Sequence, residues 1–65
     1  MKILVNGNVH EIAALTVEMA LRELGYGNAT VATALNGEVI ATAARSGAVL
    51  SERDRLEILA PMQGG

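Results

Sequence analysis

The sequence predicts an α+β fold in which one helix packs on one face of a mixed sheet of four to five strands. Two Asn-Gly dipeptides, Asn6-Gly7 and Asn36-Gly37, each separate two short apolar runs, and Asn-Gly is the strongest short-range signal for a β-hairpin. Between these hairpins, residues 17–24 carry apolar side chains at the three- and four-residue spacing of an amphipathic helix. A single helix between two hairpins covers one face of the sheet and leaves the other face open.

The first half of the chain predicts a hairpin followed by the helix. The hairpin strands run from Lys2 to Val5 and from Val9 to Ile12. Thr16 is a favourable N-cap, and Gly25 stands where a left-handed residue commonly ends a helix, so the helix spans residues 17–24. Its predicted buried face consists of Val17, Ala20, Leu21 and Leu24.

The second half predicts three further strands and a crossover. Residues 31–35 and 38–41 flank the second Asn-Gly turn and form the second hairpin. Residues 42–54 contain Gly and Ser and show no clear period, so they predict a long crossover with room for one helical turn. The segment RLEIL, residues 55–59, alternates as a strand does, with Leu56 and Ile58 on one face.

The composition excludes several classes of function. The chain of 65 residues is one domain, residues 1–65, with no cysteine and one histidine, which excludes a disulfide framework, a thiolate zinc site and a multi-histidine metal site. The net charge is −2 and Tyr26 is the only aromatic residue, so the chain has neither a basic surface nor a stacking platform for nucleic acid. With no signal peptide and no apolar stretch of membrane-spanning length, we expect a cytoplasmic protein that binds neither nucleic acid nor membrane.

No pattern in the body of the domain predicts catalysis. His10 and Glu11 are neighbours on a predicted strand, so their side chains point to opposite faces and cannot form a dyad. The charged residues within 52–57 alternate in sign, which is typical of a solvated turn and strand. Neither GxGxxG nor GxxxxGK occurs, so no phosphate-binding loop is predicted. We therefore expect a protein that is not an enzyme and that holds no metal or permanent cofactor.

The tail, residues 60–65, carries the predicted functional group. Pro61 follows the last strand and stiffens the chain as it leaves the sheet. The glycine doublet that follows has no Cβ atoms, so it fits a narrow enzyme slot in which the carboxylate of Gly65 is activated. The arm that gives access to the slot consists of Met62, Gln63 and Gly64. The alternative interpretation is a disordered end without a function.

Five segments of the chain are similar to a known protein family. They are MKILVNG, TVEMALRELG, VATALNGEVI, LSERDRLEIL and QGG, of which NGEVI and the glycine doublet are the most specific. Together they resemble the ubiquitin-like sulfur carriers of the β-grasp fold, and among these the ThiS family of thiazole (thiamin) biosynthesis. Members of this family often carry glycine immediately before the aspartate of the late turn, where this sequence has Arg53.

The resemblance implies a mechanism in which the chain is a protein cosubstrate. An E1-like adenylyltransferase would use ATP and Mg²⁺ to adenylate the carboxylate of Gly65. A persulfide sulfur donor of the cysteine desulfurase type would then displace AMP and leave a thiocarboxylate. Thiazole synthase would take up that sulfur, and the free carrier is expected to be a monomer.

The resemblance also places a partner surface. Side chains alternate along a strand, so Ile3 and Val5 point inwards and Leu4 outwards, and Leu59 points outwards next to an inward Ile58. In a β-grasp fold the first and last strands are neighbours. Leu4 and Leu59 would therefore form an exposed apolar patch for a partner beside the root of the tail.

Three alternative functions stay open from the sequence. The small subunit of molybdopterin synthase shares the terminal chemistry, although such proteins are usually longer. A ubiquitin-like modifier would join Gly65 to target lysines, but this chain carries only Lys2, which disfavours chain building. A plain interaction module would carry the tail incidentally. Activation by ATP with an E1-like enzyme, and then the identity of the sulfur acceptor, separate these functions.

Overall fold

The computed structural model of the protein describes residues 1–27 and 29–60. The described residues form β1 (Lys2–Val5), β2 (Asn8–Glu11), α1 (Val17–Glu23), β3 (Ala32–Leu35), β4 (Glu38–Ile40), a 3₁₀ helix (Thr42–Gly47) and β5 (Arg55–Leu59). The predictions for Pro61, Met62, Gln63, Gly64 and Gly65 concern residues outside this described part.

The strands form one mixed sheet in the order β2-β1-β5-β3-β4. β1 pairs with β5 in parallel, whereas β1–β2, β3–β4 and β3–β5 are antiparallel. Helix α1 packs on one face of this sheet, where its buried side chains join those of β1 and β5 in a single core. The predicted α+β fold with one helix on one face of a mixed sheet is confirmed.

Both Asn-Gly dipeptides form the predicted two-residue turns. The φ angles are 50° and 86° in Asn6-Gly7, and 52° and 85° in Asn36-Gly37, as a type I′ turn requires. Such a turn after Val5 places Asn8 directly opposite Val5, so β2 begins and ends one residue earlier than predicted. In the second hairpin, β3 begins one residue later and β4 ends one residue earlier than predicted.

Helix α1 has the predicted caps at both ends. The Thr16 hydroxyl oxygen accepts a hydrogen bond from the backbone N–H of Met19 at 3.2 Å. At the other end Gly25 has a φ of 95°, and the N–H groups of Gly25 and Tyr26 donate to the carbonyls of Arg22 and Leu21, which forms a Schellman motif. Because the motif closes over the last turn, the helix ends one residue earlier than predicted, and Leu24 becomes its half-buried C-cap.

The core is aliphatic and lies between the helix and the inner face of the sheet. It contains Ile3, Val5, Ile12, Ala14, Val17, Ala20, Leu21, Val31, Leu50, Leu56 and Ile58. The alternation predicted for the first and last strands is confirmed, since both inward residues of each strand belong to this core.

A buried polar cluster, absent from the sequence predictions, joins the crossover to the sheet. Arg45 in the 3₁₀ helix donates from Nε to Thr33 Oγ1 at 3.2 Å and from Nη2 to the carbonyl of Val31. Thr33 in turn donates to the carbonyl of Ile40 at 3.2 Å. These bonds satisfy polar groups that folding removes from water, and they hold the crossover against β3.

Replacing Leu21 by alanine tests the helix–sheet contact. Leu21 is only 5% exposed, so Leu21→Ala should lower the free energy of unfolding by roughly 2–5 kcal/mol, measured by urea denaturation. The matched control is Leu15→Ala, because Leu15 is 62% exposed and its truncation should change this free energy by less than about 0.5 kcal/mol. Equal effects of the two substitutions would contradict the described packing.

Candidate functional site

The open face of the sheet, opposite helix α1, contains the predicted partner residues Leu4 and Leu59. Leu59 is 67% exposed, as its alternation with Ile58 requires. Leu4 is half-buried instead of fully exposed, with Val9 opposite it on one neighbouring strand and Arg55 on the other.

Leu4 and Leu59 line one groove but stand at different positions along it. Leu4 lies opposite Arg55, and β5 then runs four residues further to Leu59, which corresponds to about 13 Å along the strand. The charged side chains of Arg55 and Glu57 share the outer face of β5 between them. The surface is therefore a groove with an apolar residue near each end and charges between. The groove is lined by Leu4, Asn6, Gly7, Gly37, Arg55, Leu56, Glu57 and Leu59.

Asn6 of the first turn holds the last strand just before the tail begins. Its side-chain Oδ1 accepts from the N–H of Ile58 at 2.8 Å, and its Nδ2 donates to the carbonyl of Ile58 at 3.1 Å. The Asn6 backbone N–H also donates to the carbonyl of Leu56 at 3.0 Å. The amide side chain thus continues the parallel pairing after β1 has turned away, while Ala32 on β3 pairs with Leu59 on the other side. The root of the tail is held from both sides.

Asn36 of the second turn performs the same function at the beginning of β5. Its Oδ1 accepts from the N–H of Arg55 at 2.9 Å, and its Nδ2 donates to Asp54 Oδ1 at 3.0 Å. Asp54 Oδ2 accepts from the N–H of Ser51 at 2.8 Å, which closes the turn before the strand. Sequence reasoning found both Asn-Gly turns but missed these side-chain bonds. The available signal was the choice of asparagine over glycine at both positions, since asparagine combines positive φ with a hydrogen-bonding amide.

At the far edge of the sheet the amino terminus is paired with a carboxylate. The Met1 ammonium donates to the carbonyl of Ile12 at 2.8 Å and lies 2.9 Å from Glu11 Oε2. The hydrogen bond from the ammonium lowers the pKa of Glu11, and the same bond raises the pKa of the Met1 ammonium. His10 is exposed and lies opposite Ile3, whereas Glu11 lies opposite Lys2, so His10 and Glu11 belong to opposite faces of the sheet as predicted.

The described part of the chain contains neither a cluster of metal-binding side chains nor a membrane-spanning helix. Within residues 1–27 and 29–60, no group of three or more His, Cys, Asp or Glu side chains is arranged to hold a metal ion. In the same part of the chain, no helix has the length and apolar character needed to cross a membrane.

Comparisons with known proteins place the chain among relatives of the same fold. Residues 3–65 match the family model described as ThiS family. A solved structure of the thiamine biosynthesis protein (ThiS) from Geobacter metallireducens is similar, with 32% sequence identity, a TM-score of 0.85 and 100% of each chain covered. A search of curated proteins finds no match. The likeness to the Geobacter structure confirms the predicted β-grasp fold.

The bonds from Asn6 to Ile58 can be tested by exchanging the amide for a carboxylate. Asn6→Asp keeps the acceptor for the Ile58 N–H but loses the donor, and it places a carboxylate oxygen against the Ile58 carbonyl. We expect the free energy of unfolding to fall by about 1–3 kcal/mol in urea denaturation. The control is Asn8→Asp, the same change of charge at an exposed residue of the same hairpin. If both variants lose equal stability, the Asn6 side chain does not hold β5.

Proposed function

The chain belongs to the ThiS family, and we propose on that basis that it is a sulfur carrier of thiamin biosynthesis whose Gly65 carboxylate is converted to a thiocarboxylate. The observation that carries the proposal is the extent of the family match, which runs from residue 3 through the glycine doublet to residue 65. The similar Geobacter protein, described as a thiamine biosynthesis protein, supports the thiazole branch over the molybdopterin branch. In this function the chain is a cosubstrate that partner enzymes charge and discharge.

The proposed chemistry takes place on the carboxylate and uses reagents supplied by partners. A carboxylate oxygen attacks the α-phosphate of ATP, pyrophosphate leaves, and an acyl-adenylate forms in an E1-like adenylyltransferase with Mg²⁺ neutralising the phosphate oxygens. The terminal sulfur of a persulfide, of the cysteine desulfurase type, attacks the acyl carbon, and AMP leaves. A second thiol cleaves the resulting acyl disulfide and leaves the thiocarboxylate, which thiazole synthase then uses as its sulfur source.

The length of the tail decides where the activating enzyme must bind. Residues 61–65 separate Ala60 from the end of the chain, and an extended chain spans at most 3.3–3.6 Å per residue, so the reacting carboxylate lies within roughly 18 Å of Ala60. The nucleotide site of the partner must therefore lie close to the end of β5. A partner that contacts this end of the sheet meets Leu59, which is the largest exposed apolar side chain of the groove.

The residues of the chain have separate functions in this proposal. Leu4 and Leu59 dock the adenylyltransferase, and Asn6 keeps the tail root in one position relative to them. Met62 and Gln63 span the distance to the slot. Gly64 and Gly65 keep the arm narrow where the slot surrounds it, because glycine has no side chain to collide with the walls.

Removing the last glycine tests the chemistry. The chain lacking Gly65 should keep its Tm, since the described core lies elsewhere, but should form no adenylate or thiocarboxylate because its carboxylate stops one residue short of the ATP phosphate. Mass spectrometry after incubation with the adenylyltransferase, ATP and a persulfide donor gives the measurement, and the native chain should show the mass change of sulfur for oxygen. Charging of the shortened chain at the native rate would refute the assigned role of Gly65. A native chain that is never charged would refute the proposed function.

Replacing Leu59 by glutamate tests the docking surface. Leu59→Glu should leave the Tm unchanged and raise the KM of the adenylyltransferase for the carrier about fivefold or more, because a carboxylate replaces an apolar side chain that the partner would bury. The control is Val39→Glu, because Val39 is 78% exposed on the same open face but lies on β4, outside the groove. Pyrophosphate release measures both variants. An equal KM for Leu59→Glu, Val39→Glu and the native carrier would exclude Leu59 from the interface.

A further inference from the structure

Arg53 occupies a backbone conformation that favours glycine. Its φ is 69°, and within residues 1–27 and 29–60 the other non-glycine residues with positive φ are Asn6 and Asn36. Asparagine tolerates this region, and both asparagines use their amides to bind β5. For an arginine the Cβ atom makes the left-handed conformation unfavourable. The local geometry therefore gives a reason for the two asparagines but none for Arg53.

The turn needs the conformation of residue 53 but not its side chain. The Arg53 N–H donates to the carbonyl of Lys2 at 2.7 Å. The Asp54 N–H donates to the carbonyl of Ser51 at 3.1 Å, which closes the turn. The next bond, from the Leu4 N–H to the Asp54 carbonyl at 2.8 Å, joins the turn to β1. All of these bonds use main-chain atoms, and a glycine would form them without strain. Within residues 1–27 and 29–60, the Arg53 guanidinium makes no hydrogen bond or ion pair that would offset its strain.

The Arg53 side chain lies beside the proposed partner surface. It is exposed and lines an open concavity together with Lys2, Leu4, Val9 and Glu52. Leu4 also lines the groove that runs to Leu59, so the two concavities adjoin at this residue. Arg53 lies in the turn that precedes Arg55, the first residue of β5, whereas Leu59 ends the strand about 13 Å further along. Arg53 is therefore at the end of the surface opposite the root of the tail.

The Arg53 guanidinium is free to bind a carboxylate of a partner, as far as the described part of the chain shows. Two further cations, Lys2 and Arg55, flank it on the same side of the sheet, and in the described part of the chain none of the three has a carboxylate within ion-pair distance. Nearby carboxylates bind internal donors instead. Glu52 accepts from the Lys2 N–H at 2.8 Å, and Asp54 accepts from the Ser51 N–H and from Asn36. These carboxylates keep their negative charge when they accept hydrogen bonds, so this part of the surface carries charges of both signs. In the described part of the chain the exposed guanidinium of Arg53 is nevertheless left without an ion-pair partner.

We propose that Arg53 is an affinity and specificity residue whose guanidinium binds a carboxylate on the activating adenylyltransferase, at the end of the interface remote from the tail. The inference rests on the proposed function, because that function supplies the partner. Guanidinium groups suit this contact, since their planar donors match the two oxygens of a carboxylate. Because Arg53 lies before the start of β5 and the tail follows the end of that strand, Arg53 should change the binding of the carrier and leave the chemical step as it is.

Three substitutions separate the backbone strain at residue 53 from the charge. Arg53→Gly removes both, Arg53→Ala keeps the strain and removes the charge, and Arg53→Lys keeps both with a different cation. The Tm should depend on whether residue 53 has a Cβ atom, so Arg53→Gly should melt about 4–8 °C above Arg53→Ala. Binding should depend on the charge of residue 53. Titration calorimetry with the adenylyltransferase of the same organism should show a Kd about threefold to tenfold higher for both Arg53→Gly and Arg53→Ala than for the native carrier. Arg53→Lys should bind more tightly than either.

Salt dependence and turnover complete the test. The Kd of the native carrier should rise with ionic strength more steeply than that of Arg53→Gly, while kcat at saturating carrier stays equal for all variants. The proposal is overturned if Arg53→Gly binds as tightly as the native chain, or if affinity follows Tm through the series. A native chain that binds but is not charged refutes the proposed function. In that case the measured affinities of the variants still test the proposed role of Arg53. A native chain that does not bind this enzyme refutes both.

Discussion

Strand β5 joins the two hairpins of the fold, because in the order β2-β1-β5-β3-β4 the hairpins pair with each other only through it. Each hairpin is a local structure whose turn is encoded by Asn-Gly. The pairing of β5 is not local, since the bonds from Asn6 reach across 52 residues to Ile58. Contacts of such large sequence separation form slowly, because ordering the long chain between them costs entropy before the contact is made. The sheet, and the core beneath it, therefore depend on β5 taking its place.

Strand β5 also ends at the root of the tail, so the pairing of this strand decides how firmly the root is held. A tail that left an edge strand would share the mobility of an edge that is paired on one side only. Here the root leaves a strand that is paired on both sides and that is held by an asparagine at each end. In the proposed function, docking of a partner on the adjacent groove would restrict the reacting group to a small volume. Adenylation requires the carboxylate to be positioned close to one phosphate of the nucleotide, and a restricted position favours this.

Local signals in the sequence were sufficient for the turns, the helix caps and the inward residues of β1 and β5, because these features depend on neighbours in the chain. The order of the strands and the parallel pairing of β1 with β5 have no such signal, and the family resemblance indicated only that the first and last strands are neighbours. The half-burial of Leu4 could not be predicted either, since it results from strands on both sides. The buried guanidinium of Arg45 and the amide bonds of Asn6 join residues far apart in sequence, and composition does not indicate them.

The alternation of β5 explains how one strand serves both the fold and the proposed partner. Its inner residues Leu56 and Ile58 are 0% and 5% exposed and belong to the core, so their sizes are constrained by packing. Its outer residues Arg55, Glu57 and Leu59 face the groove and contribute little to that packing. Because successive side chains point to opposite faces, the outer set can change without disturbing the inner set.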